Sequence, residues 1–356
     1  MSIDEEAIQE TLRRVGGKLP ADPDQTFTAS EGAFTSNVRF VDAYDPELTK
    51  SVPASGVDSF TAGATQESIQ AARGLMEELH VSGKEPFEFR ERMARGGSGE
   101  IWKSLHRTLR RVVAIKKIRD DVLEDAAEKD QTISLIKSEF ISEALLSARL
   151  DHPNIVPVYD LRLEENENPR LVMKLIEGTV WSRELREDFD KLDVDAFLSK
   201  HIPILIDVAQ AVAYAHSRGI IHRDLKPSQV MLGQYGEVFL TDWGLATQLP
   251  NEPKIQDNLP KLPKTDPVNP AGTPAYMAPE QTEWSSKNLG TWTDIYLLGS
   301  ILYLLLTGYA PHEAERSEDS FLHAARGVIT PPEERAGSRH VPRELARICL
   351  QALEAR

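Results

Sequence analysis

The hydrophobic positions of this chain settle into regular patterns at Phe87. From there "FEFRERMARGGSGEIWKSLH" and "RRVVAIKKI" read as strands, the first interrupted by glycines, and "LVMKLIEG" reads as another. Between them "LIKSEFISEALLSARL" has helical spacing. After Val180 the patterns turn mainly helical, with long apolar-periodic stretches from Ala196 to Ser217 and from Thr293 to Thr307. A strand-rich part ahead of a helix-rich part predicts an α+β fold, and no internal repeat is visible.

Residues 1–85 have a different texture. They hold 15 Asp or Glu against 7 Lys or Arg, a net of −8 within a whole-chain charge of −15, and are rich in Ser, Thr, Gly and Asp. That composition predicts a largely disordered acidic arm. Two pieces in it, "DEEAIQETLRRVGG" and "TQESIQAARGLMEELHVSG", begin with acidic or capping residues, gather Ile8, Leu12, Val15 and Ile69, Leu75, Met76, Leu79 on one face, and end at Gly. They are candidates for short amphipathic helices docked on the domain or a partner, and equally for transient helices in a floppy arm.

Charge and cysteine content narrow the classes. The acidic balance argues against nucleic acid as a partner, since phosphate-backbone binding rests on clustered Lys and Arg. One cysteine, Cys349, excludes an internal disulfide framework and reads as a buried thiol. The start, MSIDEEAIQE, lacks the basic-then-apolar order of a secretory signal, which points to a cytoplasmic address. "IYLLGSILYLLLTGYA" is shorter than a membrane span needs and reads as a buried core helix, so no membrane segment is expected.

The chemistry begins at "ARGGSGEI". Glycines let a backbone approach a polyphosphate closely, yet a plain hairpin turn needs the same residues. A dinucleotide-binding turn would open a helix, whereas more strand follows here, and no Gly-Lys-Ser/Thr closes a Walker loop. Downstream, in order, come Lys116 in "VAIK", Glu143 on the next helix, "HRDLKP", "TDWG" and "GTPAYMAPE". This ordered set resembles the eukaryotic-type protein kinase family, particularly the Ser/Thr kinases found in bacteria, over about Phe87 to Arg356.

The resemblance implies a bilobal fold over residues 86–356, with a β-rich N-lobe at about 86–176 and a mainly helical C-lobe at about 177–356. It implies ATP and Mg2+ as cofactors and a protein substrate bearing Ser or Thr. Phosphoryl transfer concentrates negative charge on the triphosphate, so such a site works by positioning and electrostatics. Lys116 would contact the α- and β-phosphates, held by Glu143. Asp224 would accept the proton of the substrate hydroxyl, Lys226 would balance charge on the transferred phosphate, and Thr273 would help to seat the hydroxyl. Asp242 would hold magnesium with Gln229. Ala94, Gly96, Gly97, Ser98, Gly99 and Ile101 would cover the nucleotide. Ala114, Met173 as gatekeeper, the backbone of Lys174 to Ile176, and Met231 would enclose adenine. Arg223 would pair with a phosphate on the activation segment, where Thr265 is a candidate acceptor. Asp294 would begin the helix that anchors the catalytic loop.

Several residues depart from the family's pattern. Trp243 stands for Phe, Ala94 for the first loop glycine, and the chain ends at "ALEAR" a few residues before the family's Arg partner for Glu280. Gln229 replaces Asn. It offers the same amide oxygen on a stem longer by about 1.5 Å, while magnesium asks for ligands at about 2.0 to 2.1 Å. The expectation is a kinase detuned at its second metal site; the alternative is a pseudokinase scaffold that binds nucleotide or partners without efficient transfer. A small-molecule kinase is disfavoured by "GTPAYMAPE". Thr26 and Thr28 in "DQTFTAS" suggest autophosphorylation that recruits a phosphothreonine-reading partner, and the arm's acidity equally suits self-inhibition against the substrate groove.

Overall fold

The computed structural model describes residues 5–15, 19, 22, 24, 25, 27, 28, 86–95, 99–126, 130–163, 168–249 and 269–354. The chain divides into two compact units. The larger comprises Met1–Ser30, Glu91–Lys103 and Val113–Arg356. The described residues of the smaller are 86–90 and 104–112. In its described part Phe87 meets His106 edge to face, with ring centroids 4.8 Å apart, and the Arg107 amide donates to the Pro86 carbonyl at 2.9 Å.

The described elements run in the order α1 (Glu5–Val15), β1 (Phe27–Thr28), β2 (Phe87–Arg95), β3 (Gly99–His106), β4 (Arg111–Ile118), α2 (Asp120–Ala126), α3 (Asp130–Ala148), β5 (Val158–Arg162) and β6 (Arg170–Lys174). β7 (Gly178–Val180), α4 (Trp181–Phe189), α5 (Val194–Ser217), β8 (Ile220–Ile221), β9 (Val230–Gly233), β10 (Val238–Leu240), β11 (Thr247–Gln248) and β12 (Ala271–Gly272) follow. The chain closes with α6 (Thr291–Thr307), α7 (Ser317–Arg326), α8 (Pro332–Arg335) and α9 (Arg343–Ala352).

β2-β3-β4-β6-β5 form one sheet, with β6 antiparallel to both β4 and β5. The register sets Ile115 opposite Val172 and Lys116 opposite Leu171, and Ile118 and Leu171 pack with Phe140 and Ala144 of α3. The α+β architecture read from the sequence is therefore the fold, strands first and helices after. Helical segments expected at Ala196–Ser217 and Thr293–Thr307 fall inside α5 and α6, and "LIKSEFISEALLSARL" lies in α3 except for its last two residues.

The helical part encloses a core around Trp181, Phe197, Val208, Ile301 and Tyr303, all 1 % exposed or less. α5 starts where the Asp193 carboxylate caps the Ala196 amide at 2.8 Å. Among the described residues α5 is long and apolar enough to cross a membrane, yet its Phe197, Val208 and Ala211 belong to this core. α6 lies against α9 so closely that a Cβ at Gly299 would sit 2.8 Å from that of Ala352. Only a residue without a side chain admits that approach.

Of the arm, α1 coincides with the first helical piece read from the sequence, and Leu12 packs beside Met277, Phe321 and Ala324. That part of the arm has regular structure, stabilised by a partner surface that its own composition does not reveal. The second piece, "TQESIQAARGLMEELHVSG", lies outside the described residues.

Candidate active site

Period-two alternation on β4 puts Ala114 and Lys116 on one face, and the antiparallel register sets Met173 of β6 opposite Ala114. The Lys116 ammonium leaves that face for two carboxylates. It pairs with Glu143 of α3 and reaches Asp242 Oδ1 at 3.3 Å. Glu143 is fixed because Phe140 and Ala144, on the same side of α3, are packed into the sheet. The Lys116 and Glu143 side chains are 17 % and 11 % exposed. Burial opposes charge on Lys116, but Asp242 and Glu143 outweigh it and hold the pKa above the ordinary lysine value. Burial raises Glu143, an effect that Lys116 offsets in part. Asp242 is lowered, first by the Lys116 charge, so it stands as an anion.

The HRD segment is held from below by Asp294, fully buried at the start of α6. Its carboxylate accepts from the His222 amide at 2.8 Å, the Arg223 amide at 2.9 Å and His216 Nε2 at 2.8 Å. With those amides fixed, Arg223 holds a left-handed backbone, φ 70°. Such a conformation is costly outside glycine and persists where surroundings over-determine it. The buried Arg223 guanidinium, its pKa brought down to about 10 by desolvation, donates to Asn269 Oδ1 at 3.2 Å and to the Leu245 carbonyl at 3.4 Å.

One turn on, Asp224 Oδ1 accepts from the Thr273 hydroxyl at 2.6 Å, and that hydroxyl accepts from Lys226 Nζ at 2.7 Å. Lys226 also stands 3.7 Å from Asp224 Oδ2. β9 and β10 form a hairpin in which the Thr241 amide donates to the Gln229 carbonyl at 2.8 Å. This pairing places Gln229 beside Asp242, the residue after Thr241. Gln229 Nε2 donates to Asp224 Oδ2 at 3.1 Å and to Asp242 Oδ2 at 3.3 Å. Asp242 itself is left-handed, φ 55°, and its neighbour Trp243 is 1 % exposed against the His222 ring, with centroids 4.6 Å apart.

Residues 87–354 match the protein kinase domain. The chain belongs to the protein kinase family. It is 35% identical over 268 residues to the serine/threonine-protein kinase PknD of Protochlamydia amoebophila, and 34% identical over 279 residues to PknD of Chlamydia pneumoniae. These alignments cover 71% and 73% of the chain but only 26% and 28% of the relatives, so the chain spans just over a quarter of their length. The membership is that of a eukaryotic-type Ser/Thr kinase of the bacterial kind.

Within the kinase domain, Lys116, Glu143, Asp242, Gln229, Asp224, Lys226 and Thr273 form one connected chain of polar contacts. Gly99 lies beside the Lys116 stem, where an added Cβ would be 3.4 Å from Cε. Ala94 is on exposed β2 and Ile101 on β3, while Gly96, Gly97 and Ser98 lie outside the described residues, as does Thr265. Met231 pairs with both Val180 and Phe239.

Three contacts add to the sequence expectation. Gln229 turns its amide nitrogen to the two carboxylates, where a donor relieves two anions side by side. The Lys174 amide donates to the Pro157 carbonyl at 2.9 Å, and its ammonium sits 4.3 Å from the Phe239 ring centroid. Glu280 accepts from Thr293 Oγ1 at 2.7 Å, a partner inside the chain. Sequence reasoning also missed Asn269, whose Nδ2 donates to the Glu280 carbonyl at 3.1 Å and whose Oδ1 meets Arg223. The dipeptide Asn-Pro ahead of "AGTP" was the only signal for it.

The donor set suits a hard divalent cation. Asp242 supplies an anionic oxygen, Gln229 an amide within reach of it, and magnesium is usually bound by one or two carboxylates together with substrate phosphates.

Proposed function

We propose that this domain is an ATP- and magnesium-dependent protein serine/threonine kinase. The observation that carries the reading is the Asp224–Thr273–Lys226 triangle, a carboxylate and an ammonium sharing one hydroxyl. A substrate hydroxyl entering there would donate to Asp224, which orients it and takes its proton as the bond to the γ-phosphorus forms and the bond from that phosphorus to the β,γ-bridging oxygen breaks, ADP leaving with the bonding electrons. Lys226 would neutralise the transferred group. Lys116, kept charged by its carboxylate partners, would hold the α- and β-phosphates in line. Magnesium bound at Asp242 and Gln229 would supply positive charge across the β- and γ-phosphates. Ala114, Met173 and Met231 would enclose the base, with the backbone of Lys174 to Ile176 hydrogen-bonding it.

A scaffold reading has one specific support, the Gln229 nitrogen donating to both Asp224 and Asp242. Transfer from labelled ATP to a generic basic protein, in wild type, Asp224→Ala and Gln229→Asn, separates the two. Magnesium-dependent transfer lost in Asp224→Ala supports the kinase; nucleotide binding without transfer in any of the three supports the scaffold. A cytoplasmic address rests on the sequence alone, as does a phosphothreonine-reading partner, and mapping no phosphate before residue 85 after incubation with ATP would end the latter.

A further inference from the structure

The hydroxyl seat of the domain already has a neighbour from its own N-terminus. Lys226 Nζ donates to the backbone carbonyl of Asp24 at 2.9 Å, as well as to Thr273. Three residues on, β1 pairs antiparallel with β12, Phe27 opposite Gly272 and Thr28 opposite Ala271. β12 leads directly into Thr273. Two independent contacts to the arm's backbone therefore hold Asp24, Phe27 and Thr28 along the segment that seats the acceptor hydroxyl.

The approach is built, not incidental to one strand. α1 docks upstream: Leu12 and Leu19 pack with Met277, Phe321, Ala324 and Trp284, Thr11 is 7 % exposed, and the Arg14 guanidinium lies 5.5 Å from the Trp284 centroid. A turn then redirects the chain, with Asp22 accepting from the Asp24 amide at 2.9 Å and from the Gln25 amide at 3.0 Å. Gly272 has φ 142°, a backbone that side chains rarely adopt, and a Cβ there would meet Gln281 Nε2 and Met277 Cγ at 3.0 Å. The edge that receives β1 is thus held from behind by the domain.

Strand addition to an exposed edge is a general way for a protein to hold an extended peptide, with main-chain bonds giving affinity independent of sequence. An acceptor peptide whose hydroxyl reaches Asp224 passes Lys226 and the β12 edge, where the arm now lies. The residue presented to Lys226 is Asp24, which has no hydroxyl to receive a phosphoryl group. We propose that Asp24, Phe27 and Thr28 are an intramolecular occupant of the acceptor-peptide site, a substrate mimic tethered by α1 that restrains transfer to other proteins until it leaves. This rests on the kinase reading above. It also states how a substrate binds: extended, antiparallel to Ala271–Gly272.

Binding in cis raises effective concentration to the millimolar range for a short tether, so weak contacts suffice to compete with a dilute substrate. The restraint is therefore on KM for the protein substrate, with kcat little changed.

The test uses the full chain with Leu12→Glu, which puts a charge into the α1 face, and with Phe27→Pro, which removes an amide from β1. Hydrogen exchange at residues 271–273, measured without nucleotide, reports occupancy; KM for a basic protein substrate reports restraint. Both variants should lose protection at 271–273 and lower KM about tenfold, and a synthetic peptide of residues 18–30 should raise it again by competition. Protection unchanged in both variants overturns the occupancy. Protection lost with KM unchanged overturns the restraint. Absence of transfer from wild type and variants alike overturns the kinase reading on which the restraint depends, while exchange, measured without ATP, still decides whether the arm is docked.

Discussion

Asp294 grips the main chain of Arg223: its Oδ1 accepts the Arg223 amide at 2.9 Å across 71 residues of sequence. The same carboxylate takes the His222 amide, so a single buried side chain holds two donors that have nowhere else to turn. Replacement by alanine leaves them buried and unpaired. Asp294→Ala should cost about 3 kcal/mol of unfolding free energy, since bonds to a charged acceptor are worth about 1.5–3 kcal/mol each and losses of this size come from broken buried networks. Urea unfolding of wild type and variant measures it, and a loss below 1 kcal/mol would show that water or another acceptor takes over.

Glu143 is the positioning partner of Lys116. Glu143→Gln removes the charge while keeping the shape, leaving Lys116 to Asp242 alone. The ammonium should then swing toward the metal-side carboxylate, and kcat should fall about a hundredfold, the scale of losing one preorganised electrostatic contact. KM for ATP and kcat from initial rates separate this from a binding defect, and an unchanged kcat would remove Glu143 from the site.

Gln229→Asn shortens the amide stem by about 1.5 Å. Asparagine reaches less far toward Asp224 and leaves more of Asp242 for the cation. The magnesium concentration for half-maximal rate should drop about tenfold, in line with the effect of groups that orient metal ligands. A higher magnesium requirement would mean that the glutamine is fitted to the site as it stands.

His312 gives a pH dependence unrelated to catalysis. It is fully buried, shares a hydrogen bond of 2.7 Å with the Tyr296 hydroxyl, and burial takes its pKa down to about 3. An unfolded histidine titrates near 6.5. Between these values the unfolded chain binds a proton that the native chain refuses, so stability is full above pH 6.5 and declines as pH falls toward 3. From pH 7 to pH 5 the decline due to this residue should be about 2 kcal/mol. His312→Gln should flatten that part of the profile in chemical unfolding at the two pH values; an unchanged slope would assign the proton elsewhere.

The chemistry of the domain was legible because its residues announce themselves by type and order. Lys116, Asp224, Lys226 and Asp242 sit in short runs whose flanking strand or turn is set locally. Asn269 and Asp24 were not legible in that way. Asn269 acts through carbonyls brought together by a turn at residues 279–285, and Asp24 through its own carbonyl. A main-chain acceptor has no side-chain signature. The Gln229 orientation depended on how close two carboxylates lie, which is a tertiary distance and has no local trace.

The left-handed backbone at Asp242 has a neighbour in Trp243, the largest aromatic side chain, shut in against His222. A non-glycine residue in that conformation costs of order 1–3 kcal/mol, while burying an aromatic side chain contributes about the same or more. The indole thus acts as ballast for its neighbour's twist. Loosening the niche around Trp243 would let the aspartate relax toward ordinary φ and swing its oxygens off aim while the rest of the molecule stays folded. Damage in this core would be felt as a failure of aim well before it registered as a loss of structure.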